Sequence, residues 1–168
     1  MAAGDGPARV LALDYGSARC GCALSDPSGT LATPVEPVLR PASRAGLRAL
    51  AALVASEDVG HVIVGLPLSL SGGDSEQTRE TRRFAEALGE RLGARVPVEL
   101  YDERFTTKLA AGQGAAGRVR GGGGASRGGG GGGASRRGVG AARAAPTASE
   151  DSRAAAILLQ SWLDSRRA

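Results

Sequence analysis

Carboxylate side chains follow hydrophobic runs at widely separated points in this chain. Asp14 ends the run Val10-Leu11-Ala12-Leu13, and Asp102-Glu103-Arg104 follows the apolar run 96–101. A further acidic pair, Glu150-Asp151, opens the last amphipathic segment. A strand that delivers a carboxylate to its own end and then turns on a glycine is typical of a site that presents a metal or phosphate ligand. The three acidic points, all at element ends, could therefore converge on one metal site.

The hydrophobic pattern predicts the elements that would position these acids. Runs at Arg9–Asp14, Arg19–Ser25 and Leu31–Leu39 are joined by short turns, which is typical of an antiparallel meander. Later strands at His61–Leu66 and Val96–Tyr101 alternate with helices and should therefore run parallel. The order β-β-β-α-β-α-β-α-α predicts a single α/β domain with a mixed five-stranded sheet flanked by helices.

Capping residues and apolar stripes locate the helices. Ser43 should cap the first helix, and Asp74 or Ser75 should begin a second that continues to about Leu92. A short helix is predicted from about Thr106, and Ser149 or Glu150 leads into the last one. That last helix should dock on the sheet through an apolar stripe: Ala154, Ala155, Leu158, Leu159 and Trp162. Pro34 and Pro37 place the third strand at a sheet edge, where a missing N–H costs little.

Length and composition limit the class of protein. A chain of 168 residues with 42% hydrophobic residues can build one ordinary core, so residues 9–168 are predicted to form one domain after a flexible stretch 1–8. No apolar run approaches the roughly 20 residues of a membrane helix, and the amino terminus lacks the features of a signal peptide. A cytoplasmic protein without a membrane partner is expected.

The glycine–arginine arm, residues 112–149, carries six arginines and no acid. Its charge of +6 within a chain total of +4 leaves −2 for the remainder. The heptapeptide Gly-Gly-Gly-Gly-Ala-Ser-Arg occurs at 121–127 and again at 130–136. Such a low-complexity insertion is expected to be disordered. It could contact phosphate backbones without reading sequence, or serve as an inert linker.

The cysteine and histidine side chains indicate structure rather than chemistry. Cys20 and Cys22 lie two apart on one strand and should point to the same face as small core residues. No second cysteine pair or histidine cluster completes a zinc site. His61 is the only histidine and has no candidate nucleophile beside it in the sequence.

Five ordered segments closely resemble the YqgF family of ribonuclease-H-like proteins. They are Leu13-Asp14-Tyr15-Gly16-Ser17-Ala18-Arg19-Cys20-Gly21, Ser25-Asp26-Pro27, Val64-Gly65-Leu66-Pro67, Asp102-Glu103-Arg104-Phe105-Thr106-Thr107 and Asp151-Ser152-Arg153-Ala154-Ala155. The resemblance implies a ribonuclease-H-like nuclease that processes the 5′ end of pre-16S rRNA in ribosome biogenesis. The alternative activity it implies is that of a Holliday junction resolvase in DNA recombination and repair.

Carried over residue by residue, the resemblance implies a catalytic and metal-binding set of Asp14, Glu103 and Asp151. Arg19, Arg104, Thr106 and Thr107 match family positions that line the same mouth and contact substrate. The implied cofactor is Mg²⁺ or Mn²⁺, with two ions, and the implied partner is nucleic acid, either an rRNA precursor or structured DNA. Two divalent ions would neutralise charge on the phosphate and activate a water, with Asp14 bridging them. Both arginines could instead form surface salt bridges.

Two features depart from the family pattern. Cys20 and Cys22 replace aliphatic residues, which affects packing, and the unusually long glycine–arginine arm raises the question of whether Asp151 is docked in the site.

Two other classes of protein also remain open. The segment Leu13-Asp14-Tyr15-Gly16 before a hairpin resembles the phosphate loop of actin-like and sugar-kinase ATP-binding domains, which need a second domain. The second alternative class is a protein that binds nucleic acid without cleaving it. The sequence does not indicate an oligomeric state.

Overall fold

Five strands and three helices form in a computed structural model that describes residues 8–69, 71, 73–106 and 149–167. The strands are β1 (Arg9–Tyr15), β2 (Arg19–Ser25), β3 (Ala32–Leu39), β4 (Val59–Leu66) and β5 (Val98–Asp102). The helices are α1 (Arg44–Ser56), α2 (Glu76–Leu92) and α3 (Glu150–Ser165). Within the described residues, every helix falls short of what a membrane crossing requires.

The sheet has the strand order β3-β2-β1-β4-β5. The first three strands pair antiparallel, and β1, β4 and β5 pair parallel. The predicted mixed five-stranded sheet is therefore confirmed, and β3 with its two prolines lies at an edge. Because β1, β4 and β5 run in the same direction, their carboxyl ends meet at one end of the sheet.

Alternation of side chains along β1 divides the core into two layers. Leu11 and Leu13 face α1 and α2 and pack with Leu50 and Phe84. Val10 and Ala12 face the opposite side, where α3 covers the sheet. Asp14 follows the same alternation and points to the α3 side.

Cys20 and Cys22 are free thiols buried on the α1–α2 side, as small core residues should be. His61 lies on the α3 side, where its Nε2 is 2.9 Å from Glu99 Oε2 and its ring stacks on Trp162. These contacts make His61 part of the packing between the sheet and α3, and they lie near the amino-terminal ends of β4 and β5.

Three details differ from the prediction. Ala154 is exposed rather than docked, because the helical stripe that faces the sheet runs through Ala155, Leu158, Leu159 and Trp162. β4 begins at Val59, two residues before His61. β5 begins after Pro97, whose carbonyl accepts from Val62 N at 3.0 Å, and extends to Asp102.

Some predicted segments fall outside the described residues. Residues 104–106 form a helical turn after β5, and the continuation of the short helix predicted there lies beyond them. The glycine–arginine arm lies outside the described residues except for its last residue, Ser149, which caps α3 as predicted. The flexible stretch predicted for residues 1–8 also lies outside it, except for Ala8.

Candidate active site

Asp14 is the next-to-last residue of β1 and points to the α3 side of the sheet. Its side chain lines a cavity of about 200 Å³ at the carboxyl ends of the parallel strands. Six residues line this cavity: Asp14, Glu103, Thr106, Ala154, Ile157 and Leu158. The cavity therefore combines two carboxylates with an apolar wall supplied by α3.

Glu103 directly follows β5, and hydrogen bonds fix its backbone. Its N–H donates to the Leu66 carbonyl at 3.3 Å, and its carbonyl accepts from Thr106 N at 3.0 Å. Its side chain lies over Gly65, where an added Cβ would be 2.8 Å from Glu103 Oε1. The neighbouring Asp102 instead pairs with Arg104, whose Nη2 lies 2.6 Å from Asp102 Oδ2. Only Glu103 of this acidic pair lines the cavity.

Asp151 lies in the first turn of α3, which packs directly on β2. The Ser149 side chain caps the helix by accepting from Ser152 N, and Ser152 Oγ accepts from Cys22 N at 3.4 Å. Gly21, the register partner of Asp14 in β2, lies beneath this turn. An added Cβ at Gly21 would overlap the Asp151 carbonyl oxygen. The backbone of Asp151 is thus held against the strand that pairs with Asp14.

The charges of the three acids act on one another. Burial raises the pKa of Asp14, and the nearby Asp151 carboxylate raises it further. Burial also raises the pKa of Glu103, with added repulsion from Asp14 and Asp102. Asp14 is therefore the carboxylate that interacts with both of the others. Such partly buried acids favour either a bound proton or a bound cation.

The donor set fits a divalent cation at Asp14 and Glu103. Both side chains supply oxygen ligands of the kind that Mg²⁺ and Mn²⁺ prefer, and both face an open cavity. Asp151 is engaged elsewhere, because its Oδ2 lies 3.2 Å from Arg19 Nε. Within the described ranges, no group of three Asp, Glu, His or Cys side chains forms a ready metal site. As placed, Asp151 does not complete a three-carboxylate site with Asp14 and Glu103.

The other predicted site residues take different positions. Arg19 lies at the start of β2 beside Asp151, and Arg104 is engaged by Asp102 through both Nε and Nη2. That ion pair holds the pKa of Asp102 below its usual range. Thr106 lines the cavity and donates its hydroxyl hydrogen bond to the Glu103 carbonyl. Thr107 lies outside the described residues.

Gly21 and Gly65 lie against the acidic residues, and neither was predicted from the sequence to be a site position. Each lies inside a strand on the α3 side, and each leaves room for a part of the acidic site. A glycine within a strand often marks the close approach of another group, so the signal was present in the sequence. Ile157 was also missed, although it is 55% exposed and lies on the helical stripe of Ala154 and Leu158.

The mixed sheet, the covering helix and the acids at its carboxyl end define a ribonuclease-H-like α/β protein. The overall fold is similar to the structure of Thermus thermophilus RuvC, with a TM-score of 0.52 over 95% of this chain and 96% of that one at 16% identity. The family described as RuvX: Holliday junction resolvase matches residues 8–123. The chain belongs to this family, which confirms the predicted resemblance.

Curated relatives agree with this assignment. A Mycobacterium leprae protein named "Putative pre-16S rRNA nuclease" is 40% identical over 160 residues, covering 95% of this chain and 74% of the relative. A Mycobacteroides abscessus protein with the same name is 48% identical over 106 residues, or 62% of this chain. The chain spans 63% of the length of that relative and of the similar protein from Koribacter versatilis.

The raised pKa values predict how stability depends on pH. Asp14 and Glu103 hold protons more readily when folded than their ordinary values of 3.8 and 4.5 allow. The two protonated carboxyls therefore contribute fully to the free energy of unfolding at a pH below their ordinary pKa values. That contribution is lost as the pH rises through their raised pKa values in the folded state. In EDTA, Asp14→Asn should melt at a higher temperature than the parent chain at pH 7, and the gap should close toward about pH 4.

Thermal melts across this pH range test the prediction, with Glu86→Gln as the matched control. Glu86 is an exposed carboxylate on α2, so its removal should leave the pH dependence unchanged. A difference between Asp14→Asn and the parent that stays constant with pH would contradict the repulsion described for the site.

Proposed function

We propose that this chain is a nuclease that hydrolyses phosphodiester bonds with the help of divalent cations, and that its substrate is the 5′ end of pre-16S rRNA. The observation that carries the proposal is that Asp14 and Glu103 line one open cavity, where burial raises the pKa of each carboxyl and neighbouring carboxylates raise it further: Asp151 for Asp14, and Asp14 with Asp102 for Glu103. A bound divalent cation offsets the unfavourable free energy of two neighbouring, partly buried negative charges, so such a pair of carboxylates favours cation binding.

The names of relatives support the choice of reaction and substrate. A relative 49% identical over 114 residues carries the name "Putative pre-16S rRNA nuclease", and the family description names a Holliday junction resolvase. Both names refer to cutting nucleic acid. An actin-like or sugar-kinase ATPase is less well supported, because the names of the relatives and of the family refer to nucleic acid and not to a nucleotide.

Each residue of the site has a role that follows from its position. Asp14 and Glu103 would hold the cation, and Thr106 keeps the Glu103 backbone in place. A bound cation would neutralise charge on the phosphate and make a water nucleophilic. Ile157 and Leu158 form the apolar wall of the cavity. The partner of this site is therefore a nucleic-acid backbone.

Cleavage of two substrates tests the proposal. The full chain should cut an RNA that spans the 5′ end of pre-16S rRNA in the presence of Mg²⁺ or Mn²⁺, and EDTA should abolish the cut. A four-way DNA junction of the same total length is the competing substrate. Preferential, symmetric cutting of the junction would favour the resolvase alternative, since resolution calls for paired sites related by a two-fold axis. Binding of both substrates without any cutting would support a non-catalytic binder.

A further inference from the structure

The Arg19–Asp151 ion pair distinguishes Asp151 from the other two acids. Arg19 Nε lies 3.2 Å from Asp151 Oδ2, and the two side chains are 59% and 41% exposed. Among the ion pairs of the described residues, none includes Asp14 or Glu103. One carboxylate of the site thus has a protein counter-ion, whereas the two that line the cavity do not.

The ion pair is not needed to hold α3 in place. The Ser149 cap, the hydrogen bond from Cys22 N to Ser152 Oγ and the contact of Gly21 with the Asp151 backbone fix the first turn of the helix. An exposed ion pair adds little to folding stability. Arg19 therefore acts mainly on the charge and availability of the Asp151 carboxylate.

The guanidinium group of Arg19 can exchange one partner for another. Its planar fork of donors matches a carboxylate and a phosphate equally well. Because the pair is open to solvent on both sides, a phosphate can reach Arg19 without displacing any buried group. When Arg19 turns to a phosphate, the Asp151 carboxylate loses its counter-ion while it remains near Asp14, whose pKa it already raises.

We propose that Arg19 is an exchangeable counter-ion that couples the arrival of substrate to completion of the metal site. This proposal rests on the nuclease function proposed above. In the free chain, Arg19 neutralises Asp151, and Asp14 with Glu103 holds one divalent cation. When a backbone phosphate of the nucleic acid takes Arg19, the Asp151 carboxylate becomes available to a second cation. Arg19 is thus a residue that contacts substrate and also controls when the third carboxylate is released.

Binding of Mn²⁺ to the full chain, measured by calorimetry without nucleic acid, tests the first half of the proposal. The parent chain should bind one Mn²⁺, and Arg19→Gln should bind a second, with an affinity about tenfold above that of any weak second site in the parent. Arg9→Gln is the matched control, because it opens the 2.7 Å pair with Glu57 at the far end of β1. The control should bind one Mn²⁺, like the parent chain.

Binding of RNA in EDTA tests the second half. Arg19→Gln should lower the slope of log affinity against log salt by about 0.7–0.9, the loss of one phosphate contact, while Arg9→Gln keeps the parent slope. The melting temperature of Arg19→Gln should equal that of the parent chain, because the exposed Arg19–Asp151 ion pair contributes little to folding stability. An unchanged slope together with an unchanged melt would overturn the assignment of Arg19 to phosphate.

Asp14→Asn separates failure of this inference from failure of the proposed function. If Asp14→Asn binds Mn²⁺ as the parent does, the metal site itself is wrong. If Asp14→Asn loses Mn²⁺ while Arg19→Gln still binds only one ion, the metal site stands and the counter-ion role of Arg19 is wrong. A second ion that binds the free parent chain as tightly as it binds Arg19→Gln would also overturn the counter-ion role.

Discussion

Asp14→Asn is expected to reduce cleavage by more than about 100-fold while leaving the fold intact. Groups that merely support a metal ligand contribute on the order of 10- to 100-fold, and Asp14 is placed to contact the cation directly. The substitution preserves the shape of the side chain and removes its charge, which relieves the repulsion from Asp151 and Glu103. Initial rates on the rRNA precursor, with Mn²⁺ titrations of each variant, measure the effect.

The adjacent acids of β5 provide an internal control. Glu103→Gln should behave like Asp14→Asn, because Glu103 also lines the cavity. Asp102→Asn removes the same charge one residue away, but its side chain is engaged by Arg104 outside the cavity, so the loss should stay within about tenfold. Cleavage by Asp14→Asn at the parent rate would refute the two-metal nuclease assignment, as would activity that survives full chelation.

Gly21→Ala is expected to lower both stability and activity. The new Cβ would overlap the backbone of Asp151 and Ser152, and backbone cannot move aside as the end of a side chain can. Strain of this kind costs about 1–3 kcal/mol in the free energy of unfolding. It is relieved only by moving the first turn of α3 away from β2, which displaces Asp151 from Asp14. Urea unfolding and cleavage rates should therefore fall together.

Two other glycines make this prediction specific. At Gly65 the added Cβ would meet the Glu103 carboxylate at 2.8 Å, so Gly65→Ala should reduce cleavage with a smaller loss of stability. At Gly89, inside α2, the nearest atom is a Val98 methyl group at 3.9 Å. Gly89→Ala should therefore raise stability by about 0.5–1 kcal/mol and leave cleavage unchanged. A Gly21→Ala variant as stable and active as the parent would show that α3 is not held against β2.

Much of the fold could be predicted from local patterns. Ser43, Ser75 and Ser149 were each identified as a helix cap or the residue next to one, and each side chain accepts from a backbone N–H of the first turn. The antiparallel pairing of β1, β2 and β3 was predicted from the short turns between them, and the parallel direction of the later strands from their helical connections. Most errors concerned element ends, as at β5, where Pro97 delays the start of the strand, and one concerned Ala154, which is exposed and does not dock on the sheet.

The sequence by itself determined which elements form, and it placed Asp14 and the Asp102-Glu103 pair at the carboxyl ends of parallel strands. Alternation along a strand also required that only one of those two neighbours could face the site. The family resemblance named Glu103, but which side of the sheet α3 covers, and so which neighbour faces the cavity, is decided by tertiary contacts between distant segments. Cys22 and Ser152, for example, meet across 130 positions of sequence.

Only the tertiary structure decided how the three acids are arranged. Asp14 and Glu103 share a cavity, whereas Asp151 is turned toward Arg19, a contact between residues more than a hundred positions apart. The need for glycine at positions 21 and 65 likewise arises from α3 and Glu103 approaching the sheet. Local propensity cannot contain this information, because the free energy of these contacts exists only once the helix has docked.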